Sequence, residues 1–245
     1  MNTLLEEIFT SQQFKNSKGE IVKIHSETNK EQCKYLQRII KDNEFSKSIE
    51  IGFAYGVSTL AITEAIANNN GKHVVIDKFQ NSGGWNGNGL ELINTAGFKE
   101  HVDFHEQYCY EALPKLMLEG KKFDFAYIDS TKQFDWIFIN FFYLDKMLDL
   151  NGIIVFDDVI FPGIRKVLRF IARLPNYKVY SQHPKNYLPS LARRSASFLS
   201  ALPNSEKFFR DDLLTSDYQM GVNSGCVAVK KVDEDNRNWD WHVDF

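Results

Sequence analysis

Residues 48–59, Ser-Ile-Glu-Ile-Gly-Phe-Ala-Tyr-Gly-Val-Ser-Thr, constrain this chain more than any other segment. An apolar strand end, Ile49 and Ile51, runs into a turn with Gly52 and Gly56, and a helix-like run from Val57 to Ala67 follows at once. Glycine lets the backbone turn sharply and lets a ligand approach the main chain closely. The helix N-terminus then offers unpaired N–H groups and the positive end of its dipole. The spacing Gly-x-x-x-Gly departs from the Gly-x-Gly-x-x-Gly of dinucleotide folds. Glu50, two residues before the first glycine, suits a cationic ligand better than a pyrophosphate.

From that turn onward strands and helices alternate. Strands are predicted at Ile49–Ile51, His73–Ile76, Val102–His105, Phe123–Ile128 and Ile153–Phe156. The segments Val57–Ala67, Leu90–Ala96, Tyr110–Leu118, Trp136–Leu148 and Ile164–Leu174 between and after them read as helices. Short apolar strands between amphipathic helices point to an α/β fold, a parallel sheet covered on both faces. Residues 176–181 and 224–231 read as two further strands. Residues 1–45 read as a helical preface, with a first helix around Leu4–Phe9 and a second from about Asn29 to Ile40. Residues 182–220 break the rhythm with Pro184, Pro189 and Pro203 and read as an insertion or lid, so that 1–245 form a single domain.

Composition narrows the partners. A formal net charge of −3 argues against general electrostatic binding of nucleic acid. No run approaches the roughly 20 apolar residues of a membrane span, and the longest apolar stretch, Trp136 to Leu144, is interrupted by Asn140. The N-terminus carries Glu6 and Glu7 where a signal peptide needs bases. Cys33, Cys109 and Cys226 are far apart and form no zinc spacing, which fits reduced thiols and a cytoplasmic setting.

In an open parallel sheet ligands bind at the carboxyl ends of the strands. Carboxylates stand at four of those ends: Glu50, Asp77, Asp129 and the pair Asp157-Asp158. Asp77 lies 25 residues beyond Gly52, where a doubly wound fold grips ribose hydroxyls. A single strand-end Asp is often a helix cap or loop starter; four in register with a glycine turn read as a functional cluster.

At these residues the chain resembles the class I S-adenosylmethionine-dependent methyltransferases of the O-methyltransferase-like family. Glu50-Ile-Gly52-Phe-Ala-Tyr-Gly56-Val-Ser58-Thr59 is similar to the family's first motif, and Asp77 to its ribose-binding acid. Phe123-Asp-Phe-Ala-Tyr-Ile-Asp129 resembles the fourth-strand motif, and Leu148-Asp-Leu-Asn-Gly152-Ile-Ile-Val-Phe-Asp157-Asp158 the segment that follows. The resemblance covers about residues 28–175 and the last strand. It implies a three-layer, Rossmann-like sandwich around a mostly parallel seven-stranded sheet whose last strand is antiparallel. It also implies S-adenosylmethionine as cofactor. Glu50, Gly52, Tyr55, Gly56 and Ser58 would face its methionine part, Asp77 its ribose, Gln107 and Cys109 its adenine, and Asp129 the methionine end and the substrate. The methyl acceptor would be a hydroxyl of a small molecule.

Two departures bear on chemistry. Many relatives carry Gly-x-His after the acid matching Asp129, whereas this chain has Ser130-Thr-Lys132. Metal-dependent relatives show Asp-Asn after the fifth strand; here Asp157-Asp158 stand there, so Asp129, Asp157 and Asp158 are either oxygen ligands for Mg²⁺ or helix caps and substrate contacts. Asp129, Asp157 and His25 are the candidate catalytic groups, His25 because imidazole is the natural base near neutral pH. Trp85, in the loop Gly83–Gly89, is expected either to cover the cofactor or to anchor a solvated loop. Arg193-Arg194 is a solvated basic pair or a grip on an acidic substrate. The aromatic run Phe138, Phe141, Phe142 and Tyr143 is helix core, with a homodimer interface as its other use. A cofactor-binding module without catalysis and a nicotinamide oxidoreductase are the alternatives to a methyltransferase, the latter weakened by the missing dinucleotide motif.

Overall fold

The computed structural model describes residues 1–25, 28–82, 84–184 and 215–243. Most of the 182–220 insertion, with Arg193-Arg194, lies outside the described residues. The chain divides into two compact units, one of residues 1–130 with 139–149 and one of 131–138 with 150–245.

The first unit opens with helix α1 (Thr3–Ser11), capped by the Asn2 side chain, which accepts from Leu4 N–H at 2.8 Å. A two-stranded antiparallel hairpin follows, β1 (Gln13–Lys15) and β2 (Ile21–Lys23). The preface is therefore not helical throughout. Its polar stretch is a turn: Asn16 Oδ1 accepts from the N–H groups of Lys18 and Glu20 (3.0 and 2.9 Å), and Gly19 takes φ +83°. Helix α2 (Lys30–Asp42) begins at Asn29, whose side chain accepts from Gln32 N–H.

Four parallel strands carry the unit: β3 (Lys47–Ile51), β4 (Lys72–Ile76), β5 (Val102–His105) and β6 (Phe123–Ile128), in the order β5-β4-β3-β6. All but the first residue of β3 and of β4 is buried, as in strands covered on both faces. Between the strands run α3 (Val57–Ala67), α4 (Asn88–Thr95) and α5 (Cys109–Leu118). Helix α3 is apolar nearly all round, with Leu60, Ala61, Ile62 and Ile66 at most 1% exposed, because it packs on the sheet, on α2 and on α4.

Helix α6 (Phe134–Met147) leads to strand β7 (Leu148–Phe156). In the second unit β7 pairs antiparallel with β9 (Cys226–Lys231), and β9 antiparallel with β8 (Tyr177–His183). Helix α7 (Pro162–Ile171) starts at a proline, which has no N–H to lose there, and buries Ile164, Val167, Leu168 and Ile171 at helical spacing. The seven strands β3 to β9 are one mostly parallel sheet with β9 reversed, as the sequence leads one to expect.

Candidate functional site

The carboxyl end of β3 turns at Gly52. Its φ is +103°, and a Cβ there would lie 1.9 Å from the main-chain oxygen of Asp129. Only glycine lets the turn lie this close to the end of β6. The register holds up to the turn: Gly52 N–H donates to Ile76 O and Asp129 N–H to Ile51 O, both at 3.0 Å. Gly56 closes the turn with φ +78° and is the first residue before α3, where no side chain caps the helix. The first intrahelical bond runs from Leu60 N–H to Gly56 O, leaving the N–H groups of Val57, Ser58 and Thr59 without intrahelical partners.

Asp77, just past β4, reaches across to this turn. Its Oδ2 accepts from Phe53 N–H (2.9 Å) and Ala54 N–H (3.2 Å), and its Oδ1 from Phe79 N–H (2.7 Å). A carboxylate offers about four lone-pair positions, so an acceptor position remains for a ligand hydroxyl. The half-buried acid thus shapes the glycine turn and borders it.

Gln80 is a site residue that the sequence did not announce. It is fully buried; its Nε2 donates to Ala54 O and its Oε1 accepts from Gly89 N–H, both at 2.9 Å. This amide ties the glycine turn to the start of α4. Gly89 answers it, since a Cβ there would lie 2.8 Å from Ala54 O. Next to it Asn81 donates from N–H and Nδ2 to both oxygens of Glu106 (3.1 and 2.7 Å), and these bonds, the side-chain one foremost, hold the Glu106 carboxyl below its ordinary pKa.

Three aromatic rings meet over the turn. Tyr55 lies edge-on to Trp85 at 5.1 Å between centroids and to His25 at 6.4 Å. Trp85 therefore anchors its loop against the turn, and His25, exposed, stands beside the same tyrosine. Beyond β4 and β5, Phe79 and Tyr108 meet edge-on at 5.8 Å, and Tyr108 stacks on Tyr110 at 5.1 Å. Gln107 is half-buried in this segment. Cys109 is buried at the start of α5, and burial, the largest influence, raises its thiol pKa despite hydrogen bonds from neighbouring main chain and from Asn140. Asn140, which interrupts the apolar run of α6, is fully buried, with its amide 3.5 Å from Ser130 Oγ.

Glu50 is placed differently from the expectation of a direct cofactor contact. It is 0% exposed, and both its oxygens face inward. Ser58 Oγ donates to Oε1 at 2.5 Å and Thr59 Oγ1 to Oε2 at 2.6 Å, while His73 Nε2 lies 3.0 Å from Oε2. Residue alternation explains this: Glu50 sits one position before the strand's last residue, with its side chain under α3 and not at the open edge. Ser58 is drawn into the same buried cluster.

In the second unit Asp157 Oδ1 accepts from Asp158 N–H at 2.8 Å, and Asp158 holds φ +53°. Lys132 Nζ stands 2.6 Å from Asp158 Oδ2. Gly163 admits this arrangement, for a Cβ there would lie 2.6 Å from Lys132 O. Among the described residues no group of three or more His, Cys, Asp or Glu side chains is gathered for a metal ion. Lys132 already pairs with Asp158, so these side chains do not fit Mg²⁺. No helix among the described residues is long and apolar enough to cross a membrane.

Residues 49–159 match a family model described as a methyltransferase domain. The chain is 32% identical over 120 residues to a "Probable caffeoyl-CoA O-methyltransferase" of Arabidopsis thaliana, covering 48% of this chain and 49% of that protein. It is 27% identical over 139 residues to caffeoyl-CoA O-methyltransferase 1 of Eucalyptus globulus, covering 56% and 54%. The chain thus spans about half the length of these curated relatives. Among solved structures, an O-methyltransferase of Bacillus cereus in complex with SAH superposes with a TM-score of 0.59 at 19% identity, covering 74% of this chain and 83% of that one. The O-methyltransferase TomG of Streptomyces achromogenes, in complex with SAM, gives 0.57 at 20% identity over 63% and 73%. These likenesses show the fold. The matched segment, residues 49–159, carries the strand-end motifs and is similar to a methyltransferase domain.

Proposed function

We propose that this protein transfers the methyl group of S-adenosylmethionine to a hydroxyl oxygen of a small molecule. The observation that carries the reading is the Asp77 carboxylate closing on the main chain of the Gly52–Gly56 turn, beside an uncapped helix start. The cofactor, when bound, supplies an already activated methyl on a sulfonium centre. The protein's own work is then mainly alignment.

In this reading the turn and the first N–H groups of α3 receive the amino-acid end of the cofactor, and the half-buried Asp77 accepts from a ribose hydroxyl. Phe79, Gln107 and Cys109 border the adenine. Glu50 acts from beneath: its buried carboxylate orders Ser58 and Thr59 and lends negative potential to a turn that meets a cationic ligand. The rings of Tyr55 and Trp85 present π faces suited to a positive centre. Asp129, Asp157 and His25 are the groups proposed to take the acceptor's proton. The burial of Cys33, Cys109 and Cys226 supports a reducing, cytoplasmic setting.

The test is transfer of labelled methyl from S-adenosylmethionine to a panel of catechols, sugars and hydroxylated natural products. The expected result is label in a base-stable ether, lost in Asp77→Ala. Label found only on nitrogen or carbon, or undiminished transfer by Asp77→Ala, would contradict the proposal.

A further inference from the structure

Ser48 and Glu50 lie two residues apart on β3, so their side chains share one face of the sheet. His73 on β4 is in register opposite Ser48. Its ring joins the two: Nδ1 lies 2.8 Å from Ser48 Oγ and Nε2 3.0 Å from Glu50 Oε2. Ser48, Glu50 and His73 are all 0% exposed, so no water replaces a contact that is lost.

The surrounding donors favour one tautomer of His73. Ser58 and Thr59 hydroxyls both donate to Glu50, and the imidazole completes its set with Nε2–H. In that tautomer Nδ1 is bare and Ser48 Oγ donates to it. Glu50 cannot rotate away without leaving three donors buried and unpaired.

The far end of this chain of contacts is the start of α3. Gly56 provides no side-chain cap there, and the helix start is held instead through Ser58 and Thr59. The path thus runs from the β4 backbone through His73 and Glu50 to the helix turn next to Gly56. Nothing in the methyl-transfer reading uses His73, and a histidine inside a parallel strand is not needed for packing, where an apolar side chain would serve.

We propose that His73 is a positioning residue for the cofactor turn: by fixing Glu50 it fixes the hydroxyls of Ser58 and Thr59, and with them the first turn of α3. The inference rests on the reading that this turn binds S-adenosylmethionine. Loss of His73 lets Glu50 turn and the helix start shift, so the effect appears in cofactor affinity and not only in stability.

Calorimetric titration of S-adenosylmethionine into the wild-type chain and into His73→Leu, His73→Gln, Glu50→Gln and the double variant Glu50→Gln/His73→Leu tests this. Glutamine keeps a donor near the Nε2 position. His73→Leu is expected to weaken binding by about tenfold or more, His73→Gln to stay within about threefold of wild type, and the double variant to be no weaker than the worse single one. Melting temperatures separate a folding defect from a binding defect. Nitrogen-15 NMR of the wild-type imidazole adds a readout that needs no variant: a protected Nε2–H proton is expected, and a bare Nε2 overturns the proposal. Wild-type binding with equal affinity in a folded His73→Leu also overturns it. Absence of binding by the wild type instead refutes the cofactor reading beneath it.

Discussion

Gly52 shows how narrowly a single residue is constrained here. Its positive φ is one demand, and the 1.9 Å approach of a Cβ to Asp129 O is a second that no rotation of a side chain relieves. Gly52→Ala is expected to destabilise the fold by about 3 kcal/mol, read as a lower denaturation midpoint, and to abolish cofactor binding. A variant of unchanged stability would show that the turn moves freely. At this scale the sequence was partly legible. Gly52, Gly56 and Asp77 stood out from their spacing, and Asp77 bonds to the main chain between the two glycines. Glu50 also stood out, but which way it faces depends on strand alternation and on His73, 23 residues away in the chain. Gln80 carried no signal, because an amide that bonds two main-chain groups has no partner side chain to betray it. Gln80→Ala would leave Ala54 O and Gly89 N–H buried and unpaired. It is expected to cost about 2 kcal/mol by chemical denaturation, and an effect near zero would deny it the tie between turn and α4.

The elements were read most surely where apolar strands alternate with helices. Helix α3 and strands β5 and β6 fall on their expected residues. The β1–β2 hairpin was missed because three-residue strands are too short to show a period, and its turn reads simply as polar. A second element-scale feature fixes the entry to β3. Asp124, at the start of β6, accepts from Ser46 N–H at 2.8 Å and from Lys47 N–H at 3.0 and 3.1 Å. Burial nevertheless raises its pKa, outweighing these main-chain bonds and the Lys47 charge. An acid whose folded pKa is raised binds its proton more tightly when folded. Its stabilising contribution is full below the ordinary carboxylate pKa and is lost as pH rises through the raised value. The stability of wild type relative to Asp124→Asn should therefore fall as pH rises from about 3.5 to about 7, measured by denaturant titration at each pH. A difference that grows with pH would mean that the hydrogen bonds outweigh burial.

For the whole molecule, the alternation after residue 48 determined the sheet, and the strand-end acids pointed to the edge proposed to bind the cofactor. The acceptor was not legible, because the segments expected to contact it, residues 1–30, the Gly83–Gly89 loop and 182–220, carry no readable motif. The second unit's Asp157, Asp158 and Lys132 show the same limit. Their order in the chain announced an acidic strand end, while the lysine that neutralises Asp158 emerges only from the folded loop. The turn between β3 and α3, closed by Asp77, is the proposed seat of S-adenosylmethionine. Calorimetric titration of the intact protein with that cofactor measures this directly. Saturable, one-to-one binding is expected, with a dissociation constant of roughly micromolar order, about −8 kcal/mol. No heat of binding at millimolar cofactor, with the protein folded, would contradict it.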